Sequence, residues 1–317
     1  MRSLPALPAA ATARPAWQRW LGTAFMLAVL ALLAWAARKV AWGEVWTALR
    51  DLPPAVLAGA ALLAALSHLI YSSYDLIGRA CTGHRVPRPR VMRITFISYA
   101  FNLNLGALVG AFALRLRLYA REGLEQAQIA QVLGLSLATN WLGYGLLAGG
   151  LLLLRPVTPP AGWALGSSLL QGLGALLWLL VGGYLVLCGW ARRRSFSLGG
   201  HQFSLPDLPM ALLQLALSCL NWLTIAAVIF VLLQGSAPYA QVLAVLLAAA
   251  VAGVLTHVPA GLGVLEAVFL ALLGAQLPQA GLLAALLAYR AFYYLAPLML
   301  ASLLYFLLEA QGKARAP

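Results

Sequence analysis

The segment 241–275 reads QVLAVLLAAAVAGVLTHVPAGLGVLEAVFLALLGA. It is apolar enough for a membrane helix, but Pro259, Gly261 and Gly263 interrupt it near its middle. Proline removes a backbone donor and glycine destabilises a helix interior, so one unbroken helix is not expected here. In lipid, non-helical backbone persists only where protein buries it or water reaches it. The segment therefore predicts a re-entrant helical hairpin that turns back inside the membrane.

The composition of the whole chain supports a membrane environment. Of its 317 residues, 63% are hydrophobic and only 9% are charged, with a mean hydropathy of +0.88. Soluble domains are roughly half apolar, so lipid must act as the solvent for this chain. We predict an all-α polytopic integral membrane protein.

The net charge of +13 comes almost entirely from arginine. These arginines interrupt apolar runs and do not line one polar face, so nucleic acid is not expected as a partner. Membrane topology and anionic phospholipid headgroups explain them better.

Six full spans are predicted beside the interrupted segment, each close to or above the roughly 20 residues that a crossing needs. A second apolar segment, Ile94–Leu118, is also interrupted, by Asn102, Asn104, Gly106 and Gly110. The predicted full spans are Leu21–Ala37, 53–77, 128–154, 162–190, 208–233 and 280–308.

The spans define the domain organisation. Residues 1–16 are predicted to be a disordered cytoplasmic tail, residues 17–310 a single transmembrane domain, and residues 311–317 a second cytoplasmic tail. The two halves of the transmembrane domain cover about 17–154 and about 162–310.

Three features lie outside the spans or at their ends. Trp42–Leu52 is amphipathic and predicts an interfacial helix. Residues 195–206 alternate polar and apolar side chains around two glycines, which predicts a small β-hairpin. The tryptophan and tyrosine content predicts aromatic belts at the membrane interfaces.

The distribution of arginines predicts the orientation. If each interrupted segment is a re-entrant hairpin, the termini and most basic groups share the cytoplasmic side. If each crosses once, the basic groups near Arg121 and Arg192–Arg194 cannot share a side with those of the 79–93 loop. The hairpin topology, with both termini cytoplasmic, is therefore predicted, and it leaves few basic residues outside: Arg38, Lys39, Arg50 and Arg155.

The two hairpins would then enter from opposite faces, as in inverted-repeat transporters. The string Gly110–Arg115 aligns with Gly261–Glu266, because in each a glycine precedes an ionisable residue by five positions. An inverted repeat is predicted. Chance alignment of two glycine-rich apolar strings is the alternative.

Broken helices at membrane depth predict a polar cavity between the halves. Ionisable residues within spans are candidates for function, and Arg115, Glu266 and Arg290 are placed in or next to this cavity. In one hypothesis the arginines bind phosphate, and Glu266 holds a cation, a proton or a basic headgroup. In the other, Glu266 only neutralises Arg290 or Arg115 as a structural pair.

Other polar residues extend this candidate substrate-binding site. Asp75 stands four residues before Arg79, so a local helical ion pair is favoured over ligand binding. Asn102 and Asn104 are expected mainly to satisfy broken backbone. His68 and His257 predict hydrogen bonds between helices, because no second metal ligand is suitably spaced. The predicted re-entrant breaks are Gly106, Gly110, Pro259, Gly261 and Gly263.

No nucleotide-binding loop, hydrolase elbow or zinc-protease motif occurs in the sequence. We therefore expect no catalytic residue, no metal, no cofactor and no enzymatic activity.

Six short strings carry a resemblance to a known family: Tyr71-Ser-Ser-Tyr-Asp75-Leu, Ser98-Tyr-Ala-Phe-Asn102-Leu, Arg115-Leu-Arg117-Leu-Tyr119, Thr139-Asn140-Trp-Leu-Gly-Tyr144, Pro259-Ala-Gly-Leu-Gly-Val-Leu-Glu266-Ala and Ala288-Tyr-Arg290-Ala-Phe-Tyr-Tyr-Leu-Ala-Pro297. Together they resemble the YbhN-type bacterial inner-membrane proteins. These belong to the superfamily named for the transmembrane region of lysylphosphatidylglycerol synthase. The resemblance covers nearly the whole chain after residue 16.

The resemblance implies a lipid-translocating module in the bacterial inner membrane. In multidomain relatives this part is regarded as a flippase for aminoacylated phospholipid, while a separate cytosolic domain makes that lipid. That synthase domain has no counterpart in these 317 residues. We expect a flippase-like protein that binds or translocates a phospholipid or lipid-linked headgroup. The alternative is a non-transporting scaffold or regulator of a membrane lipid-synthesis enzyme.

Overall fold

The computed structural model describes residues 42–106, 108–154, 167–190, 195–198, 201–256 and 258–314. Several predictions fall outside this part of the chain: the first tail, the span Leu21–Ala37, Arg38, Lys39, Arg155, Arg192–Arg194 and His257.

Helices dominate the described residues. The first half contains α1 (Trp42–Arg50), α2 (Pro54–Ser72), α3 (Tyr74–Thr82), α4 (Arg88–Leu105), a first π-helix (Leu108–Leu114), α5 (Arg115–Arg121) and α6 (Gln126–Leu154). Then follow α7 (Ser167–Trp190), strands β1 (Ser195–Leu198) and β2 (His201–Ser204), α8 (Leu208–Leu232), α9 (Tyr239–Thr256), a 3₁₀ turn (Pro259–Gly261), α10 (Val264–Leu273), α11 (Gln279–Arg290), a second π-helix (Ala291–Leu295) and α12 (Ala296–Ala314).

Six helical segments in the described part are long and apolar enough to cross a membrane. Five correspond to predicted full spans, with bounds that differ by a few residues. The sixth is Tyr239–Thr256, the first arm of an interrupted segment that was predicted to turn back. The six segments are Pro54–Thr82, Gln126–Leu154, Ser168–Trp190, Leu208–Leu232, Tyr239–Thr256 and Gln279–Ala310.

The first interrupted segment folds as a helical hairpin, which we call the first hairpin (α4, the first π-helix and α5). Helix α4 ends at Leu105, and Gly106 takes a left-handed φ of 87° that breaks the helix. The first π-helix then packs against α4. A Cβ built at Gly110 would overlap the backbone of Asn102, so only glycine lets the two arms approach this closely. Gly110 is therefore a packing position inside a helix, and the prediction that it breaks the helix is wrong.

The second interrupted segment also folds back, as the second hairpin (α9, the 3₁₀ turn and α10). Its arms pack against each other. Between them, Ala260, Gly261 and Gly263 have φ values of 57°, 56° and 75°. Gly110 is helical whereas Gly261 is left-handed, so the two aligned glycines do not share a backbone conformation.

The smaller predicted elements are present. Residues 42–50 form α1, which packs on α11 and buries Val45, while Trp42 and Trp46 stay exposed. Strands β1 and β2 pair antiparallel, with Ser195 opposite Ser204.

The core brings the two hairpins together. Helix α2 packs against α8, and α6 packs against both α7 and α8. Helix α4 contacts the 3₁₀ turn of the second hairpin and also the second π-helix. Elements from both halves therefore meet beside the break in the second hairpin.

Candidate functional site

A buried pair, Asp75 and Arg115, joins α3 to the first hairpin. The Arg115 Nη1 atom lies 3.4 Å from Asp75 Oδ1, and the two side chains are 3% and 0% exposed. Tyr119 donates a hydrogen bond to Asp75 Oδ2 at 2.8 Å, and Arg115 donates one to Ser136 on α6 at 3.2 Å. Tyr119 and Ser136 satisfy only part of the hydrogen-bonding capacity of this pair, because Asp75 Oδ1 and Arg115 Nε are buried without a hydrogen-bond partner among the described residues.

The predicted pair of Asp75 with Arg79 is wrong. Arg79 instead donates from Nε to the backbone carbonyl of Val86 at 2.8 Å and so fastens the loop between α3 and α4. Burial, and then the charge of Arg79, lower the pKa of His84 in this loop, so that this side chain is neutral at pH 7. The spacing of four residues allows Arg79 to pair with Asp75 on one helix. In the folded protein, however, the packing of the first hairpin places Arg115 next to the carboxylate.

An accessible pair, Glu266 and Arg290, joins the second hairpin to α11. Arg290 donates from Nε to Glu266 Oε1 and from Nη2 to Oε2, the latter at 3.0 Å. Side-chain exposures are 16% for Glu266 and 11% for Arg290, so this pair is less enclosed than the buried pair. Glu266 lies in the first turn of α10.

Arg290 also holds the broken backbone. It donates from Nη1 to the carbonyl of Ala260 at 3.0 Å and from Nη2 to that of Gly261 at 2.8 Å. These carbonyls belong to left-handed residues that cannot join a helical ladder. With Glu266, four of the five guanidinium N–H groups have partners among the described residues. The arginine is thus a structural clamp and, at the same time, the positive charge of the site.

Buried tyrosines connect the two pairs. The Arg115 guanidinium lies 5.9 Å from the ring centroid of Tyr71, which stacks on Tyr99 at 3.5 Å. The hydroxyls of Tyr99 and Tyr293 are 3.0 Å apart. Tyr293 packs edge-on against Tyr294, whose ring centroid is 5.3 Å from the Arg290 guanidinium. An unbroken series of side-chain contacts therefore links one arginine to the other.

The tyrosine network continues into α8. Ser67 donates a hydrogen bond to Asn221 Oδ1 at 2.7 Å, and its oxygen lies 2.8 Å from the Tyr293 hydroxyl. The expected aromatic belts stay a prediction, and six of the eleven tyrosines are buried in the described core: Tyr71, Tyr74, Tyr99, Tyr119, Tyr289 and Tyr293. One sequence signal could have indicated this buried network. Hydroxyl side chains recur four residues apart in apolar helices, as at Ser67 and Tyr71 or at Tyr289 and Tyr293, and so share one helix face.

The remaining candidates have mixed outcomes. Asn104 donates from its side chain to the carbonyls of Ala100 and Tyr294, at 2.8 and 3.2 Å, and so satisfies backbone as expected. Asn102 lies half-buried, and its carbonyl accepts a hydrogen bond from Gly106 N at the break. The His68 Nδ1 atom bonds to Ala64 within its own helix, so the expected hydrogen bond between helices is absent from that nitrogen.

The predicted polar cavity stays a prediction. An open groove in the described structure lies on α7, lined by Ser168, Leu169, Gly172, Leu173 and Leu176. These residues are largely apolar and include none of the candidate site residues. Access to the site therefore rests on the partial exposure of Glu266 and Arg290. Among the described residues, no group of three or more His, Cys, Asp or Glu side chains is arranged to hold a metal ion.

Residues 19–301 match the family described as the lysylphosphatidylglycerol synthase TM region. The chain belongs to this family. The matched range contains both ion pairs and both hairpins, and the predicted family resemblance is confirmed.

Two relatives show how far the similarity extends. The chain is 44% identical over 290 residues to Inner membrane protein YbhN of Escherichia coli, covering 91% of each protein. It is 31% identical over 267 residues to Uncharacterized protein slr0712 of Synechocystis sp., covering 83% of this chain and 82% of the relative. With its apolar helices, the family membership supports a multi-pass inner-membrane protein.

Proposed function

We propose that the chain binds a phospholipid headgroup at the accessible pair and moves it across the membrane between the two hairpins. The observation that carries this proposal is a partly exposed glutamate–arginine pair beside a break in the backbone. Ionisable groups at membrane depth mark substrate pathways far more often than they serve as lipid-facing surface. In this proposal the protein is a carrier and catalyses no covalent step.

The proposed transport path uses the packing of the hairpins. Each interrupted segment has two arms in contact, which supports a re-entrant hairpin that returns to its starting side. We propose that the hairpins enter from opposite faces as an inverted repeat, with both termini cytoplasmic. Helix α4 of the first hairpin contacts the 3₁₀ turn of the second hairpin. This contact would place the accessible pair where the two hairpins meet. The acyl chains would stay in lipid while the headgroup passes this point.

Arg290 is the proposed headgroup ligand. Its guanidinium can bind phosphate through two parallel N–H groups, a geometry that lysine does not offer. Arg115 is fully enclosed with Asp75 and Tyr119, so we propose that it holds the first hairpin in place and does not contact lipid. Asn104 would position the second π-helix next to the site through the Tyr294 carbonyl.

Headgroup translocation in liposomes tests this function. The purified native chain is compared with Glu266→Gln and Arg290→Ala, and with Glu309→Gln as a control for an acidic residue in an exposed ion cluster. We expect native and control chains to expose labelled phosphatidylglycerol to an external quencher, and both site variants to lose most of that activity. Equal translocation rates for all four proteins would contradict the proposed site. If the native chain translocates lipid no faster than protein-free liposomes do, the transport proposal itself is wrong.

A non-transporting scaffold is the second candidate function. It is favoured by the number of hydrogen bonds that Arg290 makes to protein atoms, because a side chain so fully used can serve as a clamp alone. The scaffold, which would hold structural lipid beside a lipid-synthesis enzyme, predicts no translocation. It also predicts that Arg290→Ala lowers the melting temperature even when lipid is absent.

A further inference from the structure

The accessible pair is electrically neutral as it stands. Glu266 and Arg290 cancel each other, and the bidentate contact uses the two N–H groups that best fit an oxyanion. The other two bonded N–H groups hold the carbonyls of Ala260 and Gly261. An arriving phosphate therefore meets neither a net positive charge nor a free pair of donors, and it must displace the carboxylate.

Displacement alone would leave two negative groups next to one arginine. Glu266 is only 16% exposed, so water replaces only part of the interactions that its carboxylate would lose. A buried charge without its partner is strongly destabilising, and the nearby phosphate would add repulsion. The exchange becomes favourable when a proton neutralises Glu266 as phosphate takes its place.

Among the described residues of the elements packed around Glu266, no other charge compensates the carboxylate. On α11, the described titratable side chains are Tyr289 and Arg290, and the second π-helix adds Tyr293 and Tyr294. Helix α9 carries only Tyr239, whose hydroxyl donates to the Leu223 carbonyl. Helix α4 carries its arginines at the other end of the helix, in its first two turns. Among these elements Arg290 is the cation that faces the carboxylate.

We propose that Arg290 binds a phosphodiester in exchange for Glu266 and that Glu266 takes up one proton in the same event. Before exchange, carboxylate and guanidinium neutralise each other. Afterwards, guanidinium and phosphate do so, and the carboxylic acid is neutral. No covalent bond other than the O–H bond forms or breaks. This exchange rests on the binding site of the proposed function and adds the uptake of one proton on binding. Binding can be linked to a proton whether or not transport occurs.

Binding measured against pH tests the exchange directly. The purified full chain in detergent is titrated with short-chain phosphatidylglycerol and, separately, with soluble glycerophosphoglycerol. Neither phosphodiester changes its own charge between about pH 5 and about pH 8, because phosphodiesters are strong acids. For the native chain we expect the affinity to fall about tenfold for each unit of rising pH, the slope of a single linked proton.

Variants separate the exchange from a general effect of pH. Glu266→Gln keeps the side-chain shape without the charge, so it should bind phosphodiester at every pH with a flat profile. Arg290→Gln should bind neither compound. Glu309→Gln should keep the native slope, because its carboxylate belongs to the exposed cluster with Arg117 and Arg121.

Native binding that does not change with pH, or a Glu266→Gln profile as steep as the native one, would overturn the exchange while leaving the transport proposal standing. Proton-linked binding without translocation would support the exchange and remove transport. If only the lipid binds with the expected slope, the ligand is a membrane headgroup. If the soluble compound binds equally well, the ligand class includes soluble phosphodiesters, and the exchange is supported in both cases.

Discussion

Asp75–Arg115 and Glu266–Arg290 have the same chemistry but different surroundings. Each pair ties the returning arm of a hairpin to a neighbouring span, and in each an arginine meets a carboxylate. The first pair is enclosed and accepts a hydrogen bond from Tyr119. The second pair is partly exposed, and its arginine also donates hydrogen bonds to two carbonyls of the non-helical turn. The sign of the hairpin residue is also exchanged, because it is Arg115 in the first hairpin and Glu266 in the second.

This difference teaches that a charged residue at membrane depth is not by itself a binding site. A fully enclosed pair has no room for a ligand, and its value lies in fixing one arrangement of helices. We propose that a partly exposed pair next to non-helical backbone exchanges its partner. The predictions below test whether the two pairs really divide these roles.

The largest effect is expected from Asp75→Ala. It would leave Arg115 charged and enclosed, which costs about 3–5 kcal/mol of stability. We expect a marked loss of folded protein and a lower melting temperature in detergent. The double variant Asp75→Ala with Arg115→Met should recover most of the loss, because no unpaired charge remains. An unchanged melting temperature for Asp75→Ala would contradict the assignment of a structural role.

Gly110→Ala tests the close contact within the first hairpin. The added methyl group would overlap the backbone of Asn102, so the arms must separate at a cost of roughly 1–3 kcal/mol. Gly253→Ala on α9 is the matched control, since nothing lies within 4 Å of the added Cβ there. Thermal unfolding should distinguish the two variants clearly. Equal melting temperatures would show that the hairpin arms do not pack as described.

Access to the second hairpin can be measured with single cysteines. In a background without Cys81, Cys188 and Cys219, a cysteine at Leu262 should react with a membrane-impermeant polar maleimide. Leu262 is exposed at the turn, whereas Ala100 on α4 is fully buried and serves as the control. A water-filled path predicts rapid labelling at 262 and none at 100. An unreactive cysteine at 262 would place the turn in lipid or in protein and would favour the scaffold.

The smallest effect is expected from Glu309→Gln. Its carboxylate binds Arg117 and Arg121, each at 2.8 Å, but both arginine side chains are about half exposed. Water and salt compensate for exposed ion pairs, so the melting temperature should stay within error of the native value. A decrease as large as that of Asp75→Ala would mean that exposure is a poor guide to the roles of ion pairs in this chain.

Much of the fold was predictable because its signals are local. Apolar runs gave five of the spans that the structure contains, and glycines and Pro259 marked two interrupted segments that fold into hairpins. The pairing of Glu266 with Arg290 was among the stated alternatives. The pairing of Asp75 was predicted wrongly, because the spacing rule considers one helix and Arg115 comes from another.

The sequence alone predicted a helical membrane protein, the two segments in which its helices are interrupted, and the charged residues that lie within apolar stretches. Hydropathy and backbone preference act over one or two helical turns, so they can be read along the chain. Only the tertiary structure decided which charge meets which, which pair is enclosed, and that tyrosines join the two. Those outcomes depend on the rotation and packing of helices that are distant in sequence, and side-chain contacts between helices have no local signature.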